Sequence, residues 1–387
     1  EGVQEVSNGS FSQEGSEVVV NGDFALNSSW SGTNTIANGQ LIKGSGGGLV
    51  YQGTLNGTIK SYKVTIDVAE KNGVSLNLYL GGNQFPLNEG IQTLYVQSGN
   101  SNTFIGFNNG ANSVINSISC VEVGQDWDLS SQSEIVEDAA KVVSTDGSFQ
   151  YIKQNGFTST QGKTIKFTIE VIDIQSGQLK VSFTGGTTNT NIPNSVGTHI
   201  LYIPNDGSIG ELTIGRVGGI TDVTITNISV KEVGQNWTLG TGWEIGNDVA
   251  ISDTTASNLT PSTTLISGEK YKFTLDVAKI SAGSFTFLLR FNGTNTTFAT
   301  INTEGSFTFY ATADATGFRL QNLSGGTTDF SVTNITAVQI TTDTSLPRIN
   351  YEGFSYQDVL GSEEISNGSF DSDTAWNKNG TITISGG

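Results

Sequence analysis

The feature that most constrains this chain is a five-residue sequence that occurs twice, as VGQDW at 123–127 and as VGQNW at 233–237. Two related stretches, NGDFALNSSW and NGSFDSDTAW, begin at residues 21 and 367. In each of the four stretches an aromatic residue falls at the same position. Self-similarity of this kind indicates tandem copies of one structural unit, so the chain is predicted to consist of repeated modules.

A second repeat has the pattern of a half-buried β-strand. Its copies are YKVTIDV at 62–68, IKFTIEV at 165–171 and YKFTLDV at 271–277. Apolar residues alternate with Lys, Thr and an acid, which puts the apolar side chains on one face of a strand. A closing strand recurs as well, as ISCVEV at 118–123, ISVKEV at 228–233 and ITAVQI at 335–340. Because it runs directly into the next opening motif, VGQ(D/N)W is interpreted as a module junction.

The composition agrees with many short strands. Charged residues make up only 14% of the 387 residues, Gly numbers 49, and short β-branched runs alternate with turn residues. The predicted fold class is all-β, with tandem β-sandwich modules of the jelly-roll type. The predicted ranges are 1–20 for a remnant or variant module opening, 21–123, 124–233 and 234–340 for modules one to three, 341–363 for a joint, and 364–387 for the start of a further module.

Charge and residue counts exclude several functions. A net charge of −18 disfavours nucleic acid and anionic lipid surfaces, and no apolar run approaches the ~18 residues of a membrane span. Cys120 and His199 are the only residues of their types, so no intrachain disulfide or zinc cluster can form and no Cys–His pair can repeat across the modules. The chain is therefore predicted not to be an enzyme. Its abrupt ends suggest a piece of a longer polypeptide.

The motifs resemble a known group of proteins. The opening NGDF…W, the strand YKVTIDV and the closing ITNISVKEV are similar to jelly-roll carbohydrate-binding modules, which occur in polysaccharide-degrading enzymes and in tailed-phage virion fibre proteins. The joint TSLPRINYEGF at 344–354 resembles a junction in phage tail-fibre proteins. The resemblance implies a virion appendage or decoration protein.

Tryptophans are the candidate sugar-binding residues, because an exposed indole can stack on a pyranose ring. Phe24, Trp127, Trp237 and Phe370 share one column, and their recurrence favours packing at the end of each sandwich over ligand binding. Six positions later the candidates are Trp30, Trp243 and Trp376, where module two has Ser133 instead. A core position rarely exchanges Trp for Ser, which hints at a rim location, although packing is the favoured interpretation here too.

The acids raise two further hypotheses. Jelly-roll carbohydrate-binding modules often hold a structural Ca²⁺, so the resemblance implies such a site here. The matching ligands are Asp23 and Asp126, although Asn236 and Ser369 replace them in the other copies. Asp67, Glu170 and Asp276 share one column on the polar strand face. A solvated sheet face explains this column better than a catalytic centre repeated in every module.

The preferred function is a non-enzymatic phage fibre or surface-appendage protein that provides structural extension and weak, multivalent glycan attachment. The expected location is the virion surface or the extracellular space, and the expected partners are host-surface or extracellular polysaccharide and other virion or appendage subunits. Assembly into a homo-oligomer is left open. The alternatives are a carbohydrate-binding accessory region of a secreted polysaccharide-degrading enzyme and a purely structural capsid-decorating or filament-forming protein.

Overall fold

The computed structural model describes residues 2–99, 102–157, 163–184, 189–204, 210–253, 257–323 and 329–341. Within these ranges the chain forms thirty strands, β1 to β30, and all their pairings are antiparallel. No helix in this part of the chain has the length and apolar character needed to cross a membrane. The predicted all-β class is confirmed.

The first ten strands form a pair of sheets. They are β1 (Glu14–Glu17), β2 (Asn34–Ala37), β3 (Gln40–Lys43), β4 (Val50–Gln52), β5 (Ser61–Glu70), β6 (Leu76–Leu80), β7 (Asn83–Pro86), β8 (Gly90–Gln97), β9 (Ile105–Asn109) and β10 (Val114–Val123). One sheet has the order β2-β3-β10-β5-β8, with β1 added to β10, and the other has the order β4-β9-β6-β7.

The next ten strands form the second pair. They are β11 (Asp128–Leu129), β12 (Glu134–Val136), β13 (Ala139–Ser144), β14 (Tyr151–Asn155), β15 (Thr164–Ser176), β16 (Leu179–Phe183), β17 (Asn189–Asn191), β18 (Gly197–Pro204), β19 (Glu211–Arg216) and β20 (Thr221–Val233). Their orders are β12-β13-β20-β15-β18 and β11-β14-β19-β16-β17.

The last ten strands form the third pair. They are β21 (Trp237–Leu239), β22 (Trp243–Gly246), β23 (Val249–Ser252), β24 (Asn258–Pro261), β25 (Lys270–Lys279), β26 (Phe287–Phe291), β27 (Thr297–Ile301), β28 (Gly305–Thr312), β29 (Phe318–Asn322) and β30 (Phe330–Gln339). Their orders are β22-β23-β30-β25-β28 and β21-β24-β29-β26-β27.

The three pairs share one topology, which is that of a jelly roll. In module one the eight strands from β3 to β10 alternate between the sheets as 3-10-5-8 and 4-9-6-7, and the corresponding strands of the other two modules do the same. The recurring Lys-Thr-acid strands are β5, β15 and β25, the central strands that carry the longest ladders. The predicted tandem jelly rolls are therefore confirmed by strand order.

Each module has its own apolar core between its two sheets. Alternate residues of β5 (Val64, Ile66 and Val68) are buried, and β15 and β25 repeat the pattern. Phenylalanine dominates the third core, where Phe273, Phe291 and Phe318 form edge-to-face pairs. Such burial of apolar surface is the main stabilising contribution to each sandwich.

The N-terminal residues complete the second module instead of forming a unit of their own. The Glu5 amide donates to the Val230 carbonyl (3.0 Å), and the Ile228 amide donates to the Gly9 carbonyl (2.9 Å). Phe11 is 1% exposed and lies in the core of module two. Residues 2–11 therefore lie along the edge of β20, although the whole of module one separates them from it in sequence.

Residues 15–24 make the same contacts in module one. The Val18 amide donates to the Cys120 carbonyl (2.9 Å), the Ile118 amide donates to the Gly22 carbonyl (2.8 Å), and Phe24 is 1% exposed. We call residues 2–11 and 15–24 the N-G-x-F segments. The site that each segment occupies is called the opening groove of its module. In both grooves the segment backbone bonds the edge of the closing strand, its Phe side chain is buried in the core, and its glycine lies against the backbone of the closing strand.

A buried lysine leads to a pH prediction for module one. Lys43 is 1% exposed, and its Nζ donates to the carbonyls of Gly48 (2.6 Å) and Phe107 (2.9 Å). Burial lowers its pKa from 10.5 to about 8. The unfolded chain therefore binds more protons at Lys43 than the folded chain between these values, so the Lys43 contribution to stability should rise from about pH 8 to about pH 10.5, whereas the raised pKa of the buried Cys120 thiol opposes this rise above about pH 9. Urea unfolding of a Cys120→Val background from about pH 8 to about pH 10 should show the rise, and adding Lys43→Met should abolish it; an equal rise in the double variant would contradict this assignment.

Candidate functional site

A row of side chains on the outer face of module one is the best candidate site. Tyr51 of β4, Gly106 of β9, Tyr79 of β6 and Gln84 of β7 are neighbours across the sheet. Because adjacent strands lie about 4.8 Å apart, the two tyrosines stand about 10 Å apart, with only glycine between them. The result is a half-buried aromatic surface in which Gly106 itself is covered, and we call it the tyrosine face.

Carboxamides border the tyrosine face. Asn77 and Asn108 both donate to Gln84 Oε1, at 3.2 and 3.1 Å, and Asn102 Nδ2 donates to the Tyr79 hydroxyl at 2.6 Å. Phe104 extends the aromatic surface, with its ring centroid 4.3 Å from that of Tyr51. Half-buried aromatic rings beside fixed amide donors and acceptors can hold a ligand with alternating apolar and hydroxyl surface.

The same row has different chemistry in the other modules. In module two it holds Lys153, Thr213 and Ser182, and Lys153 is paired with Glu211 at 2.9 Å. In module three it holds Arg319 directly opposite Arg290. The sequence repeat did not single out this row, because a column that differs in every module has no recurring signal.

The arginine pair of module three is unusual, because like charges directly opposite each other destabilise a sheet. Arg290 Nη1 donates to Gln321 Oε1 (3.0 Å), and Arg319 Nη1 donates to Asn292 Oδ1 (3.2 Å). Burial, together with the neighbouring Arg290, lowers the pKa of Arg319. Arg319 Nε is buried and has no partner among the described residues. The pair therefore places two positive charges side by side on the outer face of module three.

The predicted sugar-stacking tryptophans are packed against other rings. Trp243 is 7% exposed and meets Phe330 edge-on, with centroids 5.8 Å apart. Trp30 is half-buried, with the Phe107 ring stacked on it at 5.8 Å and the Phe24 ring tilted against it at 5.5 Å. These contacts agree with the packing interpretation. Trp376 lies outside the described residues, and sugar binding by the three tryptophans stays a prediction.

The shared column of opening aromatics needs a correction. Trp127 Nε1 donates to the Asn8 carbonyl (3.1 Å), and Trp30 Nε1 donates to the Asn21 carbonyl (3.2 Å). Trp127 therefore does in module two what Trp30 does in module one, whereas Phe24 corresponds to Phe11. The alignment of Phe24 with Trp127 was wrong, because the N-G-x-F segment of module two precedes module one in sequence.

The acids of the repeated strand have a structural partner. An asparagine amide donates to each carboxylate: Asn116 to Asp67 (2.9 Å), Asn227 to Glu170 (2.7 Å) and Asn334 to Asp276 (2.6 Å). Each bond ties the central strand to the closing strand of the same sheet. The column is thus a repeated cross-strand anchor on the polar face.

The predicted calcium ligands are exposed and do not come together. Asp23 Oδ1 accepts the Ala25 amide at 3.2 Å, in a turn, and Asp126 lies in the following junction with a φ of 71°. No group of three His, Cys, Asp or Glu side chains that could hold a metal occurs in the described ranges. Structural Ca²⁺ at Asp23 and Asp126 stays a prediction.

Tyr95, Tyr202 and Tyr310 occupy equivalent positions in β8, β18 and β28, and the first two lie at module junctions. Tyr95 packs against the core of module two, and Tyr202 lies beside Gly246 of module three, 3.9 Å from where a Cβ of that residue would stand. At the same place in module three, Tyr310 is 68% exposed.

Cys120 is fully buried in module one, and its burial, followed by the charge of Glu17, raises the pKa of its thiol. His199 of β18 is half-buried, and its Nε2 lies 2.7 Å from the Ser195 carbonyl oxygen.

Comparison with known proteins gives structural likeness only. No protein-family profile matches the chain, and no curated protein matches it. It is similar to the N-terminal CBM22-1–CBM22-2 tandem domain of Xyn10C from Paenibacillus barcinonensis, with 11% identity and a TM-score of 0.21 over 56% of this chain and 94% of that one. It is also similar to a triple jelly-roll protein of an archaeal virus turret, with 11% identity and a TM-score of 0.21 over 80% and 88% of the two chains. Because these scores are low, the fold assignment rests on the strand order described above.

Proposed function

We propose that the chain is a non-enzymatic appendage protein of a virion or other extracellular assembly, which extends from its surface and attaches weakly to polysaccharide through several modules. The observation that carries the glycan part is the tyrosine face, where Tyr51 and Tyr79 flank Gly106 beside a cluster of carboxamides. Aromatic rings desolvate the C–H faces of a sugar, and amides bond its hydroxyl groups.

Differences between the modules favour a polysaccharide ligand that each module binds through different chemical groups. Module one presents neutral aromatic and amide groups, whereas module three presents Arg290 and Arg319. The first suits neutral sugar rings, and the second suits sugars that carry carboxylate or sulfate groups. Contacts that are weak individually gain avidity when linked modules engage one polymer.

Binding of the full chain to immobilised neutral and acidic polysaccharides tests this proposal. The double variant Tyr51→Ala/Tyr79→Ala should weaken binding to a neutral polymer at least ~tenfold, equivalent to ~1.4 kcal/mol. Arg290→Gln should weaken binding to the acidic polymer and leave the neutral one unchanged. Tyr310→Ala is the matched control, because this exposed tyrosine lies on the other sheet of module three.

A purely structural protein is the second candidate, and the shared N-terminal segment favours it. Residues 2–11 precede module one but complete module two, which interlocks the two sandwiches. If the wild-type chain binds no neutral or acidic polysaccharide at millimolar concentrations of sugar units, attachment is refuted and the structural role stands. If it binds and the tyrosine variant binds equally well, the tyrosine face is not the site.

A further inference from the structure

The opening groove of module three has no occupant among the described residues. Ile335 and Ala337 of β30 are only half-buried, whereas their counterparts in module two, Ile228 and Val230, are 2% and 1% exposed. A cleft of about 370 Å³ opens beside them, lined by apolar groups that include Trp237, Ile245 and Val332. In modules one and two this position is filled by an N-G-x-F segment.

The strand edge in this groove is also unpaired within the described part of the chain. β23 pairs with β30 only from Phe330 to Val332, and the other ladder of β30 belongs to β25. In the sister modules the equivalent edge exchanges backbone hydrogen bonds with its segment, including three between residues 2–9 and β20 in module two. An open strand edge beside an apolar cleft is the arrangement that an added strand fills.

The sequence contains a third segment that matches. N-G-x-F occurs at 8–11, 21–24 and 367–370, and two of these occurrences fill grooves. Residues 364–370 differ from 5–11 at one position only, where Ile365 replaces Val6. We propose that residues 361–370 of this same chain bind the opening groove of module three as an added strand, with Phe370 in the cleft.

Residues that make contacts in the opening groove of module one have counterparts in the third segment. Glu17, whose carboxylate accepts the Cys120 amide (2.8 Å) and the Ser119 hydroxyl (2.5 Å), has its counterpart in Glu363. Gly22 and Gly368 correspond as well. A Cβ at Gly22 would stand 2.0 Å from the Ile118 carbonyl oxygen, so this position requires glycine.

The chain between β30 and the third segment is long enough for that segment to reach the groove. From Gln339, the end of β30, to Glu363 the chain can span up to ~80 Å when extended, which is more than the return to the groove needs.

In the first two grooves Gln52 and Gln154 each exchange two hydrogen bonds with the segment, but module three has Pro261 at that place. The third segment should therefore bind more weakly than the first two.

Cysteine cross-linking in the full chain tests the proposal, with Cys120→Val as background because module two has Val230 there. Glu17 and Val121 are register partners, so Glu17→Cys with Val121→Cys is the positive control. The test pair is Glu363→Cys with Val338→Cys, where Val338 is 57% exposed. Glu363→Cys with Ile280→Cys, beyond the far end of β25, sets the background rate.

The proposal predicts an intrachain disulfide in the test pair, formed at least tenfold faster than in the Ile280 pair. Adding Gly368→Ala should slow it at least tenfold, whereas Ser369→Ala should not. Disulfide-linked dimers would show that a second copy supplies the segment, which overturns assignment to the same chain. A test pair no faster than the Ile280 pair overturns the proposal. Neither result affects the glycan proposal, which concerns a different face.

Discussion

Replacing Phe11 with Ala is expected to destabilise module two by about 3–5 kcal/mol, although Phe11 lies before module one in sequence. The ring is 1% exposed and packs against Trp127 at 5.3 Å, so its removal leaves a cavity in the second core. Calorimetry of the full chain should show one transition moving to lower temperature, and Trp127 fluorescence should follow that transition.

Two variants control this experiment. Phe24→Ala makes the same change in module one and should instead move the transition that Trp30 fluorescence follows. Phe149→Ala removes a ring that is 51% exposed and should change neither transition by more than about 0.5 kcal/mol. If Phe11→Ala leaves the module-two transition in place, residues 2–11 do not belong to that core.

Adding a single methyl group at Gly9 should have the second-largest effect. A Cβ there would stand 2.1 Å from the Ile228 carbonyl oxygen, so the two backbones must separate at the point where the Ile228 amide donates to the Gly9 carbonyl. Gly9→Ala is therefore expected to cost module two at least about 1–3 kcal/mol, measured by denaturant unfolding.

The matched glycines separate a steric effect from a general effect of alanine. Gly22→Ala should destabilise module one to the same extent, because its Cβ would meet the Ile118 carbonyl oxygen at 2.0 Å. Gly218→Ala meets nothing within 4 Å and should be neutral or slightly stabilising. Equal effects at Gly9 and Gly218 would contradict the proposed close packing of the N-G-x-F segment.

Fold class and strand positions could be predicted because they depend on local patterns. The alternation in YKVTIDV places β5 and its counterparts, and the junction sequence marks where β10 and β20 end. The resemblance to jelly-roll modules supplied the topology, which strand order then confirmed.

The opening segments could not be assigned correctly from sequence. Trp127 aligns with Phe24 in the junction motif, yet its indole bonds Asn8, which precedes it by a whole module. Alignment assumes that each module is continuous in the chain, and module two is not. The near-identity of 5–11 with 364–370 was the available signal, but its partner groove becomes visible only in three dimensions.

The tyrosine face was missed for a different reason. Tyr51, Gly106 and Tyr79 come from three strands that are distant in sequence, and the matching positions in module two are Lys153, Thr213 and Ser182. Comparison of repeats finds what is kept, which here is packing. A ligand site that differs between modules appears only when the strands are placed side by side.

Hydrogen–deuterium exchange on the full chain tests the interlocking of modules one and two most directly. In the wild type the Ile228 and Val230 amides, bonded to Gly9 and Gln4, should be protected. In Gly9→Ala their exchange should accelerate at least tenfold, while Ile118 and Cys120 in module one stay protected. Acceleration at 118–120 instead, or no change at 228–230, would contradict the placement of the N-terminal segment in module two.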